Sequence, residues 1–172
     1  MSPAEIRLAT EHDVEAVVEV GRRAWPVVYG PIAGEDYVQM GLAKWWTVEA
    51  TRPLVEAGKA TVAEVDGELV AVAVVGPLHG DLVLFRLYVI PEFQGQGIGS
   101  LLIHDVFERA RQAGHRIIRL SYLDGNEGAA AFYRGFGFLE SHREATGLGI
   151  PDSVWVVRHL WEPLPDGLEA PE

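Results

Sequence analysis

A chain of 172 residues that is 48% hydrophobic can bury one full core and has the usual size of a single domain. Its formal net charge of −11 at pH 7 argues against non-specific DNA or RNA binding, which needs clustered Lys and Arg on phosphates, and mildly favours cationic acceptors. There is no cysteine for a disulfide, a thiolate metal site or a nucleophile, Glu5, Glu11, Asp13 and Glu15 are foreign to a signal peptide, and no apolar run nears the roughly 18 residues that span a bilayer, so a cytoplasmic chain without membrane attachment is expected.

Residues 5–9 read as a first strand. Thr10 with Asp13 resembles a capping box that opens a helix through Val14, Val17, Val18, Gly21 and Ala24. Pro26 and Pro31 predict an irregular stretch, followed by helical residues 35–56 with an interruption near Gly41. Strands 61–65 and 69–75 are joined by Asp66-Gly67, a strong hairpin signal. The apolar run 82–90, broken only by Arg86 and stopped by Pro91, predicts a strand buried on both faces. After a glycine-rich turn, Ile98, Leu101, Leu102, Val106, Ala110 and Ala113 recur at helical spacing up to Gly114. A strand over 116–122, a short helix holding Tyr133, a strand from Phe138 and a last strand over 154–160 complete residues 1–161 as one domain. The acidic, proline-containing stretch 162–172 reads as a disordered tail.

The turn Gln94-Gly95-Gln96-Gly97-Ile98-Gly99 joins a strand to a helix. Three alternating glycines let backbone approach a ligand and supply positive φ where the turn needs it. The first amides of the helix lack intrahelical partners and carry the positive end of its dipole, so an anion gains roughly 0.3 to 2 kcal/mol there. That is a seat for a diphosphate. A dinucleotide fingerprint begun at Gly95 fails at Ser100, where Gly or Ala is needed, and at Ile117, Ile118 and Arg119, where an acid is needed. A P-loop fails because Ser100 and Leu101 follow Gly99 with no Lys.

A second segment, Asn126-Glu127-Gly128-Ala129-Ala130-Ala131-Phe132-Tyr133-Arg134-Gly135-Phe136-Gly137-Phe138, stands one helix and one strand further on. Gln94, Gly97 and Gly99, followed in order by Asn126, Ala129, Phe132, Tyr133, Gly137 and Phe138, resemble the acyl-CoA site of the GNAT superfamily of N-acyltransferases. The resemblance covers about a third of the chain closely. It implies an α/β (α+β) fold: a mixed, mostly antiparallel sheet of about seven strands flanked by about four helices, with parallel fourth and fifth strands splayed to admit acyl-CoA. It further implies acetyl-CoA as acyl donor, its pantetheine arm on Leu87, Tyr88 and Val89. The diphosphate would lie on the amides of Gln94, Gly95, Gln96, Gly97, Ile98 and Gly99 with Ser100, and Asn126, Ala129, Phe132 and Tyr133 would close the site.

Transfer to an amine asks for two proton movements. An alkylamine is only about one part in a thousand neutral at pH 7, so a base or a water chain must take a proton before attack. The resemblance assigns protonation of the departing thiolate to Tyr133, whose alternative role is packing beside Phe132. Some relatives place a Glu eleven residues before the motif's Gln, where this chain has Val83. Asp81 is the candidate base, sharing strand parity with Val83, as does His79; a bound water relay is the alternative. Glu92, Asp124 and Glu127 read as loop charges or caps.

The acceptor side of such a fold is bordered by the connection after the first helix, which here holds Trp25, Tyr29, Glu35, Asp36, Tyr37, Trp45 and Trp46. Core packing accounts for aromatics of this kind. The alternative is an aromatic wall, with Trp25 and Tyr29 as substrate residues and carboxylates nearby, for a cationic or aromatic amine. Arg22 and Arg23 point instead to an acceptor carboxylate. His12, His104, His115, His142 and His159 lack metal-ligand spacing, so no metal is expected. The expected activity is acetyl transfer to the primary amine of a small molecule, with a protein or peptide amine, a CoA-binding module without turnover and a structural domain as alternatives. A homodimer is left open.

Overall fold

The computed structural model describes residues 2–163, so all but the start of the expected tail at 162–172 lies outside the described residues. The chain begins with β1 (Glu5–Leu8), then a single 3-10 turn at Glu11–Asp13 that leads directly into α1 (Val14–Ala33). Asp13 closes the expected box: its carboxylate accepts from the Thr10 N–H at 2.7 Å and the Thr10 hydroxyl at 3.2 Å.

The expected irregular stretch is a correction, because Pro26 and Pro31 both lie inside α1. Each costs the helix a hydrogen bond, yet Val14, Val17, Val18, Val20, Gly21, Ala24, Trp25 and Tyr29 bury one continuous face, and that burial outweighs the local penalty. The next helical region is two helices, α2 (Glu35–Trp45) and α3 (Val48–Glu56). Its break falls at Trp46-Thr47 and not at Gly41: Thr47 Oγ1 caps α3 by accepting from the Ala50 N–H at 3.1 Å. Gly41 is needed for close approach instead. A Cβ there would come within 1.9 Å of the Trp25 ring, and one on Gly21 within 1.9 Å of the Trp46 ring. The two indoles thus seat on glycines across the helix pair. With α4 (Ile98–Gln112) and α5 (Glu127–Gly135) there are five described helices where about four were expected.

The seven strands form one sheet in the order β1-β2-β3-β4-β5-β7-β6, with β2 (Ala60–Val65), β3 (Glu68–Leu78), β4 (Asp81–Val89), β5 (Ile117–Leu123), β6 (Leu139–Glu144) and β7 (Ser153–His159). Asp66 and Gly67 take φ of 51° and 83°, the double left-handed geometry of a tight hairpin turn. His79 and Gly80 do the same between β3 and β4 with φ of 51° and 85°.

All pairings are antiparallel except β4 with β5, which is parallel and joins only Leu82 to Ile118 and Val83 to Arg119. Beyond Val83 the two strands part, and β5 continues with β7 as its neighbour. This corrects the expectation that residues 82–90 are buried on both faces. Val83 and Leu84 are buried, but Phe85 is 49% exposed and Leu87, Tyr88 and Val89 are only partly covered, because no strand closes that side. The sheet therefore carries a gap, into which α1, α4 and α5 supply the remaining walls. Among the described residues no helix is long and apolar enough to cross a membrane.

Candidate active site

The gap opens on one side into a cleft of about 370 Å³. Leu87, Tyr88 and Val89 of β4 line it together with Gln94, Gly99, Asn126, Ala129, Phe132 and Tyr133. Residues from two segments separated by more than twenty-five positions in the sequence are thus assembled by the splay.

The glycine turn divides its labour. Gly95 and Gly97 have φ of 77° and 82°, which side chains resist. Gly99 lies within α4 without positive φ, and a Cβ there would sit 3.6 Å from the Phe132 ring, so its smallness keeps the cleft floor low. Gln94 ties the turn to β4 by donating from Nε2 to the Val89 carbonyl at 3.0 Å. The first bond of α4 runs from the Leu101 N–H to the Gly97 carbonyl, leaving the N–H groups of Ile98, Gly99 and Ser100 without helix partners at the turn.

Asn126 borders the cleft and also caps α5, its Oδ1 accepting from the Ala129 N–H at 3.2 Å. Gly137 of the same motif serves the fold. At φ 89° it passes so close to the buried Arg158 that a Cβ would lie 2.9 Å from Nε, the atom that donates to the Phe136 carbonyl at 2.7 Å. The Tyr133 ring is held edge-on by Phe132 and Phe138 at 5.2 and 5.5 Å between centroids. Burial, and then the neighbouring Tyr88, push its hydroxyl pKa above the usual tyrosine value, so it stays protonated at neutral pH.

On the other side of Tyr88 lies a second cavity of about 410 Å³. Trp25, Tyr29, Tyr37, Trp45, Trp46, Phe85 and Arg86 line it, with Ser121 and Tyr122 contributed by β5. Tyr88 borders both cavities. Its hydroxyl meets that of Tyr29 at 2.8 Å, and burial drives the pKa of each upward. Trp25 and Tyr37 stack at 5.4 Å with 15° between planes, extending the wall toward α2.

The carboxylates expected near this wall are elsewhere. Glu35 and Asp36 are exposed on the first turn of α2, where Glu35 accepts from Gln39. Arg23 is held on the surface by Glu92 at 2.7 Å and Glu68 at 3.3 Å. Asp81, the candidate base, is not brought to the splay either: it begins β4 at the closed end, six residues and roughly 20 Å of strand before Leu87, and its Oδ2 accepts from Arg119 Nε at 2.6 Å. His79 sits in the adjoining turn, and Asp124 pairs with Arg143 at 3.2 Å. Among the described residues no carboxylate lines either cavity.

Arg86, Ser121 and Tyr122 were missed by sequence reasoning. A signal for Arg86 existed, since it is the one charge inside the apolar run 82–90, but nothing local shows what it faces. Its guanidinium lies over the Trp46 ring at 4.5 Å and donates from Nη2 to the Trp45 carbonyl at 2.9 Å.

Comparison with solved structures shows the same fold in the PaiA N-acetyltransferase of Thermoplasma acidophilum crystallised with coenzyme A, at a TM-score of 0.82, 21% identity and coverage of 92% of this chain and 99% of that one. The spermidine N(1)-acetyltransferase of Thermoplasma acidophilum is 24% identical over 140 residues, 78% of this chain and 87% of that one. The thialysine N-epsilon-acetyltransferase of Bos taurus is 42% identical over 57 residues, 33% of this chain. The chain spans only about a third of that relative's length, 34%. A model of the acetyltransferase (GNAT) family matches residues 15–138, and the chain belongs to that family.

Proposed function

We propose that this chain transfers an acetyl group from acetyl-CoA to the primary amine of a small molecule by direct attack in a ternary complex. The observation that carries this reading is the meeting of two cavities at Tyr88, one walled by the glycine turn and α5, the other by aromatic side chains. Donor and acceptor can then occupy opposite sides of one gap. The family resemblance and the relatives' names support acetyl-CoA as donor. The second cavity, about 410 Å³, has the size of a small-ligand pocket, which supports a small amine over a protein chain.

In this scheme the free N–H groups of Ile98, Gly99 and Ser100 receive the diphosphate, and the exposed edge of β4 at Leu87 to Val89 receives the pantetheine arm. The acceptor ammonium loses one proton and its lone pair forms the C–N bond. As the C–S bond breaks, Tyr133 donates its hydroxyl proton to the thiolate and the nitrogen's second proton returns through water to the Tyr133 oxygen, so the net yield is an amide, a free thiol and one proton. Asp81 is set aside as the base, because its place at the closed end of the splay and its bond to Arg119 keep it from the amine. Among the described residues the lining offers hydroxyls and no carboxylate, so proton removal falls to water at the Tyr29 and Tyr88 hydroxyls.

The missing carboxylate also favours a second reading, a CoA-binding module without turnover. Two measurements separate the readings. Acetyl-CoA at about a hundred times its dissociation constant should stabilise the chain by about 2.7 kcal/mol, a shift of several degrees. Free-thiol release across a panel of primary amines then decides for turnover; a thermal shift with no release from any amine leaves the binding module.

A further inference from the structure

We infer that the acceptor carries a carboxylate on an aromatic or apolar body, and that Arg86 in the second cavity receives it. This rests on the acetyl-transfer reading for its choice of occupant. Arg86 is the one cation lining that cavity among the described residues, and no carboxylate lines it. Its guanidinium makes one hydrogen bond among the described residues. Nη2 donates to the Trp45 carbonyl at 2.9 Å, whereas Nη1 is buried without a hydrogen-bond partner among the described residues.

A guanidinium lining a cavity that holds no carboxylate is an uncompensated charge, and a ligand carboxylate is the group that supplies the missing partner, because a charge-assisted N–H···O bond matches guanidinium geometry. The Trp46 face beneath the guanidinium, 4.5 Å from its centre, fixes its orientation for such a bond. Burial lowers the pKa of Arg86, the sign of an uncompensated charge, although the group remains protonated at neutral pH.

Placement suits the chemistry. Arg86 and Tyr88 stand two residues apart on β4 and therefore project from the same face, Tyr88 being the residue shared with the donor cleft. A carboxylate at Arg86 would leave the opposite end of the acceptor, the amine, at the junction. Trp25, Tyr37, Trp45 and Phe85 supply apolar surface to the same cavity. A polyamine lacks this match. Its additional ammonium groups would enter a cavity that already holds a cation and offers no carboxylate to receive them.

The test uses the CoA-bound chain and two non-reacting probes that share one apolar body and differ at its end, the carboxylate of 3-phenylpropionate and the hydroxyl of 3-phenylpropan-1-ol, with spermidine as a third. The propionate should bind at least tenfold more tightly than the alcohol by calorimetry and more tightly than spermidine. In Arg86→Met, which keeps an apolar stem over Trp46, that ratio should fall to near one, while Arg86→Lys retains part of it. Equal binding of propionate and alcohol to the parent chain, tighter binding of spermidine, or an undiminished ratio in a folded Arg86→Met overturns the inference. The parent contrast stands whether or not either variant folds. Absence of any CoA binding in the first titration is a separate result, and it removes the acetyl-transfer reading itself.

Discussion

The hydroxyls of Tyr29 and Tyr88 meet at 2.8 Å, joining α1 to β4 at the residue that borders both cavities. Burial raises both pKa values, so the pair holds two neutral hydroxyls that can pass a proton only through a partner or water. Tyr29→Phe keeps the ring contacts to Trp25 and Tyr37 but strips the Tyr88 hydroxyl of this partner. A loss of about 1 to 2 kcal/mol is expected, lowering the melting temperature by roughly 2 to 8 °C. The kinetic expectation is a larger change in the acceptor's KM than in acetyl-CoA affinity. An unchanged melting temperature and acceptor KM together would show that the bond carries no weight.

Glycines in the first two helices predict opposite signs for one substitution. Gly41→Ala would push a methyl to 1.9 Å from the Trp25 ring and should destabilise by about 1 to 3 kcal/mol, since the indole is buried and cannot retreat freely. Gly30 lies in α1 with nothing within 4 Å of a built Cβ, and Gly30→Ala should stabilise by about 0.4 to 1 kcal/mol through the unfolded chain. Urea unfolding of both variants checks the contrast, and the same sign for both contradicts it.

Gly97→Glu should abolish acetyl-CoA binding in a folded protein. The position is open, with nothing within 4 Å of a Cβ, so the fold bears only the backbone strain of φ 82°, about 1 to 2 kcal/mol. The added carboxylate stands beside the free N–H groups of Ile98, Gly99 and Ser100 and opposes a diphosphate there. Gly97→Ala carries the same strain without the charge and serves as control. Its affinity should fall far less, and a Gly97→Glu affinity equal to that of Gly97→Ala would detach the diphosphate from the turn.

Acid should weaken the fold through Asp13. Arg7 donates to both of its oxygens, at 2.7 and 3.0 Å, and with the Thr10 N–H it lowers the Asp13 pKa from 3.8 to about 2. A carboxyl whose folded pKa lies below its unfolded one contributes stability that is complete above pH 4 and is lost as pH falls through 2. The size is about 2 kcal/mol. Unfolding of the parent and Asp13→Asn at pH 6 and pH 2.5 should show their difference shrinking toward the acid end; a constant difference would detach the effect from ionisation.

Features set by local chemistry were legible in the sequence. Asp66-Gly67 and Gly95 with Gly97 could be read as turns because their φ values are ones that side chains resist, and the parallel, splayed β4 and β5 followed from the family resemblance carried by two motifs. Features set by long-range packing were not. Pro26 and Pro31 obey no local rule inside α1, since the burial that holds the helix is supplied by residues far along the chain. Gly41 looks like a break because a sequence cannot show the indole that fills its missing Cβ. Asp81 shares strand parity with Val83, but parity says nothing about where along a strand the sheet opens. Its guanidinium partner, Arg119, comes from a different strand. The aromatic wall was readable as a concentration of Trp and Tyr, whereas the charge inside it, Arg86, depended on which face β4 turns to the gap.

Tyr133 bears the riskiest assignment, because one hydroxyl is given a chemical step. If it protonates the departing thiolate, Tyr133→Phe keeps the edge-on contacts with Phe132 and Phe138 and the wall of the cleft, yet removes the proton. Turnover should fall by roughly 10² to 10⁴ with acetyl-CoA affinity nearly unchanged. The chemical step then becomes visible in single-turnover kinetics, and the loss should shrink for thioesters whose thiols are more acidic and leave without help. The upward pKa shift adds a pH expectation. A tyrosine held above its usual value stays protonated across the working range, so the parent's rate should show no fall assignable to Tyr133 as pH rises to about 10. If the ring serves packing alone, Tyr133→Phe turns over within a few-fold of the parent at the chemical step. That result would sink the acid assignment while leaving the fold, the family and the cleft between β4 and α5 in place.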